Sequence, residues 1–272
     1  MHKKILIVVG LTILFLGTCI TSSVAINNTI KPISSGNILY VGGTGPNNYT
    51  KIQDAIDDAS DGDTVFVYDD SSPYYENLVV NKSINLIGED KNTTIIDGSG
   101  EFSVVIYHID EVKISGFTIR NGDYGIYTLR ANNITINGNI ILNNEIGVYL
   151  IASNFNTIKN NTITLNIYYG IAIIAHYITS ELSKYNIVEG NNITSNNRYG
   201  IILGKSNFNI ITENNFIQNE KDALFMVSFQ NHWNQNYWNR PRILPKLIFG
   251  SNLGFIPWFN IDWHPAKEPY VI

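Results

Sequence analysis

An asparagine followed four residues later by a small residue recurs along the middle of the chain, at Asn121/Gly125, Asn143/Gly147, Asn166/Gly170, Asn196/Gly200 and Asn219/Ala223. The successive steps are 22, 23, 30 and 23 residues. A period of this size means that one structural unit is stacked on itself. Each unit holds three short apolar bursts, such as 125–129, 133–136 and 139–142, followed in the next by 147–150, 156–158 and 161–165. Bursts of three to five β-branched residues broken by Asn or Gly read as strands, because helical repeats need long unbroken segments. Three strands per 22 residues predict one coil of a parallel β-helix, with the long step extruding a loop near 176–185. Leucine-rich repeats share the period but need a Leu framework that is missing, and a propeller needs a period of about 40.

Composition fits that reading. The 272 residues include 44 Ile and 37 Asn, so Ile can fill a stacked interior while Asn residues bond to one another from coil to coil at the turns. Charged residues make up 15% and the formal net charge is −5, which gives too much apolar material for disorder and too few Lys and Arg for a nucleic-acid binder. One cysteine, Cys19, excludes a disulfide framework and a multi-cysteine metal site. No cofactor and no metal are expected.

Alternation after the glycine predicts side-chain direction. The first and third residues after it, Ile126, Val148, Ile171, Ile201, Leu224 and Thr128, Leu150, Ile173, Leu203, Met226, are expected to face inward. The second, Tyr127, Tyr149, Ala172, Ile202 and Phe225, then faces outward, next to Tyr124, Ile146, Tyr169, Tyr199 and Asp222 just before the glycine. The outer stripe offers Tyr127, Tyr149, Tyr169, Tyr199 and Phe225 as carbohydrate-stacking residues. Their bland role is to support neighbouring coils or to lie beneath the C-terminal tail.

Both ends of such a stack need covering. Ile52, Ala55, Ile56 and Ala59 fall at helical spacing behind Thr50, predicting a capping helix at 51–59 with Thr50 as N-cap. Five of the eight prolines and two of the four tryptophans lie beyond 240, which predicts an irregular cap over 241–272, with all four tryptophans packing that end. Lys3 and Lys4, the apolar run 5–20 and the ending Ser23-Val-Ala25 predict a signal peptide at 1–25, and its removal takes the net charge to −7. A retained membrane anchor is the alternative. Residues 26–48 are expected to form a lead-in and first strand, and 49–240 the β-helix with its capping helix. Asn27, Asn48, Asn81, Asn92, Asn133, Asn160 and Asn192 begin Asn-x-Ser/Thr sequons.

The segment Tyr49-Thr-Lys-Ile-Gln-Asp-Ala-Ile-Asp-Asp-Ala-Ser-Asp-Gly-Asp-Thr-Val-Phe-Val67, with 75–80, 82–88 and 94–98 behind it, resembles the opening of pectin-lyase-like right-handed β-helices. The repeats and Asn236-Tyr-Trp238 are similar to the NosD-like branch, the carbohydrate-binding and sugar-hydrolase repeat family, and the tail 255–266 is similar to those of archaeal surface members. The resemblance implies an all-β, right-handed single-stranded parallel β-helix on a secreted or cell-surface protein. It is poor for activity, because the fold hosts lyases, hydrolases, esterases and non-catalytic proteins.

Glycoside hydrolysis needs paired carboxylates, and lyases of this fold need an Asp cluster with a basic residue. No Asp occurs from Tyr124 to Asn219, and Glu145, Glu181, Glu189 and Glu213 share no coil position with one another. Asp97, Asp110 and Asp123 remain as catalytic candidates if successive coils bring them together. The NosD label brings copper to mind, but His108, His176, His232, His264 and Met226 show no close spacing. The expected role is a non-catalytic surface or carbohydrate-binding module whose partner is a polysaccharide or a surface-layer protein. Nucleic acid is excluded as a partner, and a membrane enters only through an uncleaved N-terminal segment. The alternatives are a polysaccharide lyase or glycoside hydrolase, and a purely structural surface element.

Overall fold

Strands of three to six residues alternate with corners at which one residue takes a left-handed backbone, and this turns the chain into a right-handed parallel solenoid of about nine turns of about 23 residues. The computed structural model describes residues 36–252 and 256–272. The predicted signal segment 1–25, with Cys19 and Asn27, lies outside them.

Each coil presents three faces. Face A carries Thr135–Asn137, Thr157–Lys159 and Ile187–Glu189; face B carries Ile140–Leu142, Thr162–Thr164 and Asn192–Thr194; face C carries Tyr124–Leu129, Ile146–Ile151, Tyr169–Ile174 and Tyr199–Gly204. Every strand pairs in parallel with its equivalents one coil away. Inward residues therefore stack in files: Ile136, Ile158, Val188, Ile211 and Trp233 on face A, and Ile119, Ile141, Ile163, Ile193, Phe216 and Trp238 on face B, all buried. At roughly 1.5–3 kcal/mol for each buried Ile, these files are the main stabilising element.

The asparagines form three internal ladders, one per corner. At the corner from A to B, the amide oxygen of Asn161 accepts the backbone and side-chain N–H of Asn139 at 2.9 and 3.1 Å, and Asn191 does the same for Asn161 at 3.0 Å each. Asn214 and Asn236 continue this ladder. The other two run through Asn144, Asn166, Asn196 and Asn219, and through Asn156, Asn186, Asn209 and Asn231. A buried amide is thus satisfied at both ends by the chain itself.

The repeat motif mixes two roles. Asn121 and Asn143 are the left-handed corner residues, with φ of 59° and 55°, a conformation Asn tolerates. Asn166, Asn196 and Asn219 are ladder rungs, and the left-handed corner residue before each is Leu165, Ser195 or Gln218. The glycine of the motif answers to close approach: a Cβ on Gly147 would stand 2.6 Å from the Gly170 carbonyl oxygen.

The capping helix is present as Ile52–Asp58, with Ile52, Ala55 and Ile56 buried. Thr50 is not its N-cap. Lys51 holds that position without a side-chain bond, and the Glu76 carboxylate of the next coil accepts the N–H groups of Ile52 and Gln53 at 2.9 and 3.0 Å. The C-terminal tail is more regular than its prolines suggest. Lys246–Asn252 pairs with the last face C strand and forms an antiparallel hairpin with Ile256–Asp262. Trp233 and Trp238 are buried in the solenoid, whereas Trp258 and Trp263 are exposed, so only two of the four tryptophans pack inside.

Candidate functional site

The outer side of face C departs from the polar exterior expected of a solenoid. Tyr127 lies opposite Tyr149, then come Ala172, Ile202 and Leu224; in the neighbouring row Tyr124 is followed by Ile146, Tyr169, Tyr199 and Lys221. Ile146, Ala172 and Ile202 form a second, outer apolar cluster packed by Tyr124, Tyr149, Tyr169 and Leu224. Rings cluster most densely at its N-terminal part. Phe102 lies 4.8 Å from Tyr124 and 5.3 Å from Tyr127, and Tyr149 lies 5.2 Å from Tyr124 and 5.8 Å from Tyr127. Tyr169 and Tyr199 continue the face at 6.1 Å.

The sequence-predicted stripe draws on both rows, and Phe225 belongs to neither. Ala223 pairs with Ile201, not with Gly200, so the last coil is shifted by one residue from the count made on the motif. That shift turns Phe225 into the buried core opposite Leu203, leaves Leu224 on the outer face and exposes Met226. Phe102 was missed because it precedes the first recognisable motif, although it stands before Ser103 and Val104 as Tyr124 stands before Gly125 and Ile126.

A wall borders the face on the side of the inserted loop. The backbone N–H of His176 bonds to the Glu181 carbonyl at 2.8 Å, and Arg130 Nε reaches the Glu181 carboxylate at 2.6 Å. The Arg130 hydrogen bond holds the Glu181 carboxyl below the usual carboxylate range and raises the guanidinium in turn. Beside the loop, a cavity of about 390 Å³ is lined by Ile174, His176, Tyr177, Lys205 and Met226. A second, of about 520 Å³, closes the C-terminal end of the face between Tyr199, Lys221, Asp222, Lys246 and Phe249. Burial raises Asp222 there, opposed by Lys246 at 3.5 Å.

Burial pushes the Tyr149 hydroxyl up to about 12, with Tyr124, Tyr127 and Tyr169 adding to it. Burial also raises Tyr127, helped by Tyr124, Tyr107 and Tyr177, and raises Tyr124, helped by Glu145 and Asp123. These hydroxyls stay neutral near pH 7. They can donate and accept hydrogen bonds, but they are poor bases.

The three aspartates are divided between two corners. Asp97 is buried, bonded to Arg120 Nε at 2.9 Å and Asn121 Nδ2 at 2.8 Å, so it stabilises the corner between faces B and C. Asp123 follows at that corner on the next coil, whereas Asp110 lies at the corner from C to A and accepts from the Asn132 backbone at 2.7 Å. Asp123 has a neighbour in backbone register on the next coil that comparing the glutamates only with one another overlooked. Tyr124 pairs with Ile146, which sets Glu145 beside Asp123 on the adjacent coil.

A family model described as "Periplasmic copper-binding protein (NosD)" matches residues 56–237. The comparison with curated proteins gives no match. Among solved structures, an alginate lyase from Paenibacillus sp. str. FPU-7 is similar at 15% identity and a TM-score of 0.51, over 69% of this chain and 74% of that one. Pectate lyase Pel9A is similar at 13% identity and a TM-score of 0.57, over 78% of this chain and 66% of that one. At such identities the likeness is one of fold. For the copper named in the family description, no three His, Cys, Asp or Glu side chains gather among the described residues, and of the candidate ligands His176 and Met226 line the same cavity. His108 sits at a corner, His176 in the inserted loop, His232 on face A and His264 in the tail.

Proposed function

The chain belongs to the NosD family of parallel β-helix proteins, and from that premise we propose that it is an exported, non-catalytic module that binds an extended polysaccharide along face C. The observation that carries this reading is the half-exposed ring cluster of Phe102, Tyr124, Tyr127 and Tyr149 on adjacent coils. Coils repeat about every 4.8 Å, so rings on successive coils offer stacking surface at close intervals along one line. The neutral hydroxyls supply hydrogen bonds to sugar oxygens, and the walls at Tyr177 and Phe249 bound the track. The periplasmic description of the family and the basic, then apolar, N-terminal sequence support export.

The test is affinity electrophoresis of the full chain through gels containing neutral and acidic polysaccharides. At least one polysaccharide should retard it. Tyr127→Ala/Tyr149→Ala should weaken binding by about tenfold per ring, and the Phe counterparts should retain most of it. Equal migration of the wild-type chain in every gel sinks the reading.

A lyase or hydrolase acting along the same face is the second reading, favoured by the adjacency of Asp123 and Glu145 beside Tyr124. It requires release of reducing ends or unsaturated products from a bound polysaccharide, lost in Asp123→Asn with binding intact.

A further inference from the structure

The two ends of the solenoid are finished in opposite ways. At the N-terminal end the side chain of Gln53 imitates a neighbouring strand: its Oε1 accepts from the Val79 N–H at 2.8 Å and its Nε2 donates to the Val79 carbonyl at 3.2 Å. Residues 51–63 around it contain five Asp and one Lys. The C-terminal end is closed by the hairpin, whose outermost strand is Ile256–Asp262. Neither hairpin strand carries a charge between Lys246 and Asp262.

Exposed apolar groups crowd this last layer. Phe249 is 67% exposed and Trp258 54%, and they point to opposite faces of the hairpin, because Phe249 pairs with Phe259 and Trp258 with Gly250. The loop that leads into the hairpin exposes Ile243 by 93% and Leu244 by 76%. The same loop brings exposed Arg240 and half-buried Arg242, and Lys246 at the start of the hairpin is paired with Asp222 at 3.5 Å. Exposed apolar groups and an exposed arginine thus stand together at this end, whereas the opposite end is acidic.

We propose that the C-terminal end of the solenoid docks on an anionic lipid surface, with Trp258, Phe259 and Ile243 at headgroup depth and Arg240 and Arg242 against lipid phosphates. Rings with apolar bodies suit the membrane interface, and basic residues beside them add electrostatic attraction. A second copy is the less suitable occupant. Pro257 removes an N–H from the outermost strand, which blunts strand addition, and two such ends would bring their arginines together. No described helix is long and apolar enough to cross a bilayer.

The four tryptophans make the test direct, since only Trp258 and Trp263 are exposed. The full chain is mixed with vesicles of phosphatidylcholine and phosphatidylglycerol carrying brominated acyl chains, and tryptophan emission is followed. Quenching is expected with anionic vesicles and weaker quenching with phosphatidylcholine alone. Trp258→Phe should lose most of it, and Arg240→Glu/Arg242→Glu should weaken vesicle affinity by about tenfold. Vesicle attachment without quenching assigns the contact to another segment and overturns the proposal. So does a blue shift that appears without vesicles and grows with protein concentration, which would mean that a second copy covers this end. Quenching unchanged in both variants overturns it equally.

Discussion

Asp262 occupies the place of a sixth rung on the asparagine ladder that ends at Asn236. Its carboxylate accepts the Asn236 backbone N–H at 3.0 Å, the Asn236 side-chain N–H at 3.2 Å and the Trp238 indole N–H at 2.9 Å. An acceptor from the tail thereby stops a series that each coil passes to the next. Asp262→Ala should leave the Asn236 backbone N–H and the Trp238 indole N–H unmatched, while the Asn236 side-chain amide keeps the Ile211 and Asn234 carbonyls, and cost about 1–3 kcal/mol, with Asp262→Asn costing less. Urea denaturation of the two variants beside the wild type measures the difference.

A rung in the middle should matter more than one at an end. Asn191 donates to the carbonyls of Ile158 and Glu189 and to Asn214, while its oxygen accepts from Asn161. Asn191→Ala is expected to cost about 3 kcal/mol. Asn191→Asp should cost at least as much, since a buried carboxylate would face two carbonyl oxygens. Exposed Asn197→Ala serves as the neutral control in thermal unfolding.

Alkali should loosen face C before it disrupts the ladders. Tyr149 and Tyr74 are both raised by burial to about 12, so the native state holds these protons above the ordinary tyrosine range near 10. The unfolded chain then binds fewer protons, and stability must fall as pH rises from about 10 to 12 while being fully present below 10. Stability measured across that window should decline less steeply in Tyr149→Phe, and ultraviolet titration should show late-ionising tyrosines in the wild type.

Phe225 separates core from surface. Buried beside Leu203 and against Gly250, it should cost about 3–5 kcal/mol when replaced by Ala. The surviving folded fraction should bind polysaccharide as the wild type does, because the ring contributes nothing to face C. Calorimetric unfolding and gel retardation of Phe225→Ala report the two effects separately.

The period of the motif was enough to predict the solenoid, its three strands per coil and the extruded loop, and the spacing of Ile52, Ala55 and Ile56 the helix at its start. The misplacement of Phe225 has a plain physical origin. A corner that gains or loses one residue leaves the spacing of coils almost unchanged yet reverses which side of the strand every later residue faces. Asn144 stands three residues before Gly147, whereas Asn166 stands four before Gly170, so counting from the glycine cannot tell a ladder rung from a left-handed corner. Phe225 was misassigned for that reason. Phe102 and the adjacency of Asp123 and Glu145 became visible only once strand register had fixed which residues are neighbours across coils.

The ladders also let the gene treat length as a countable quantity. Each rung binds only its neighbour, so deleting or duplicating one stretch of 22 or 23 residues leaves every surviving bond with an equivalent partner. Such an event would move Asp262 and the aromatic tip nearer to or farther from the capping helix by about 4.8 Å, the rise of one strand layer, and leave both unchanged. Reach can therefore vary by whole steps under selection, like a telescoping rod whose two fittings are kept.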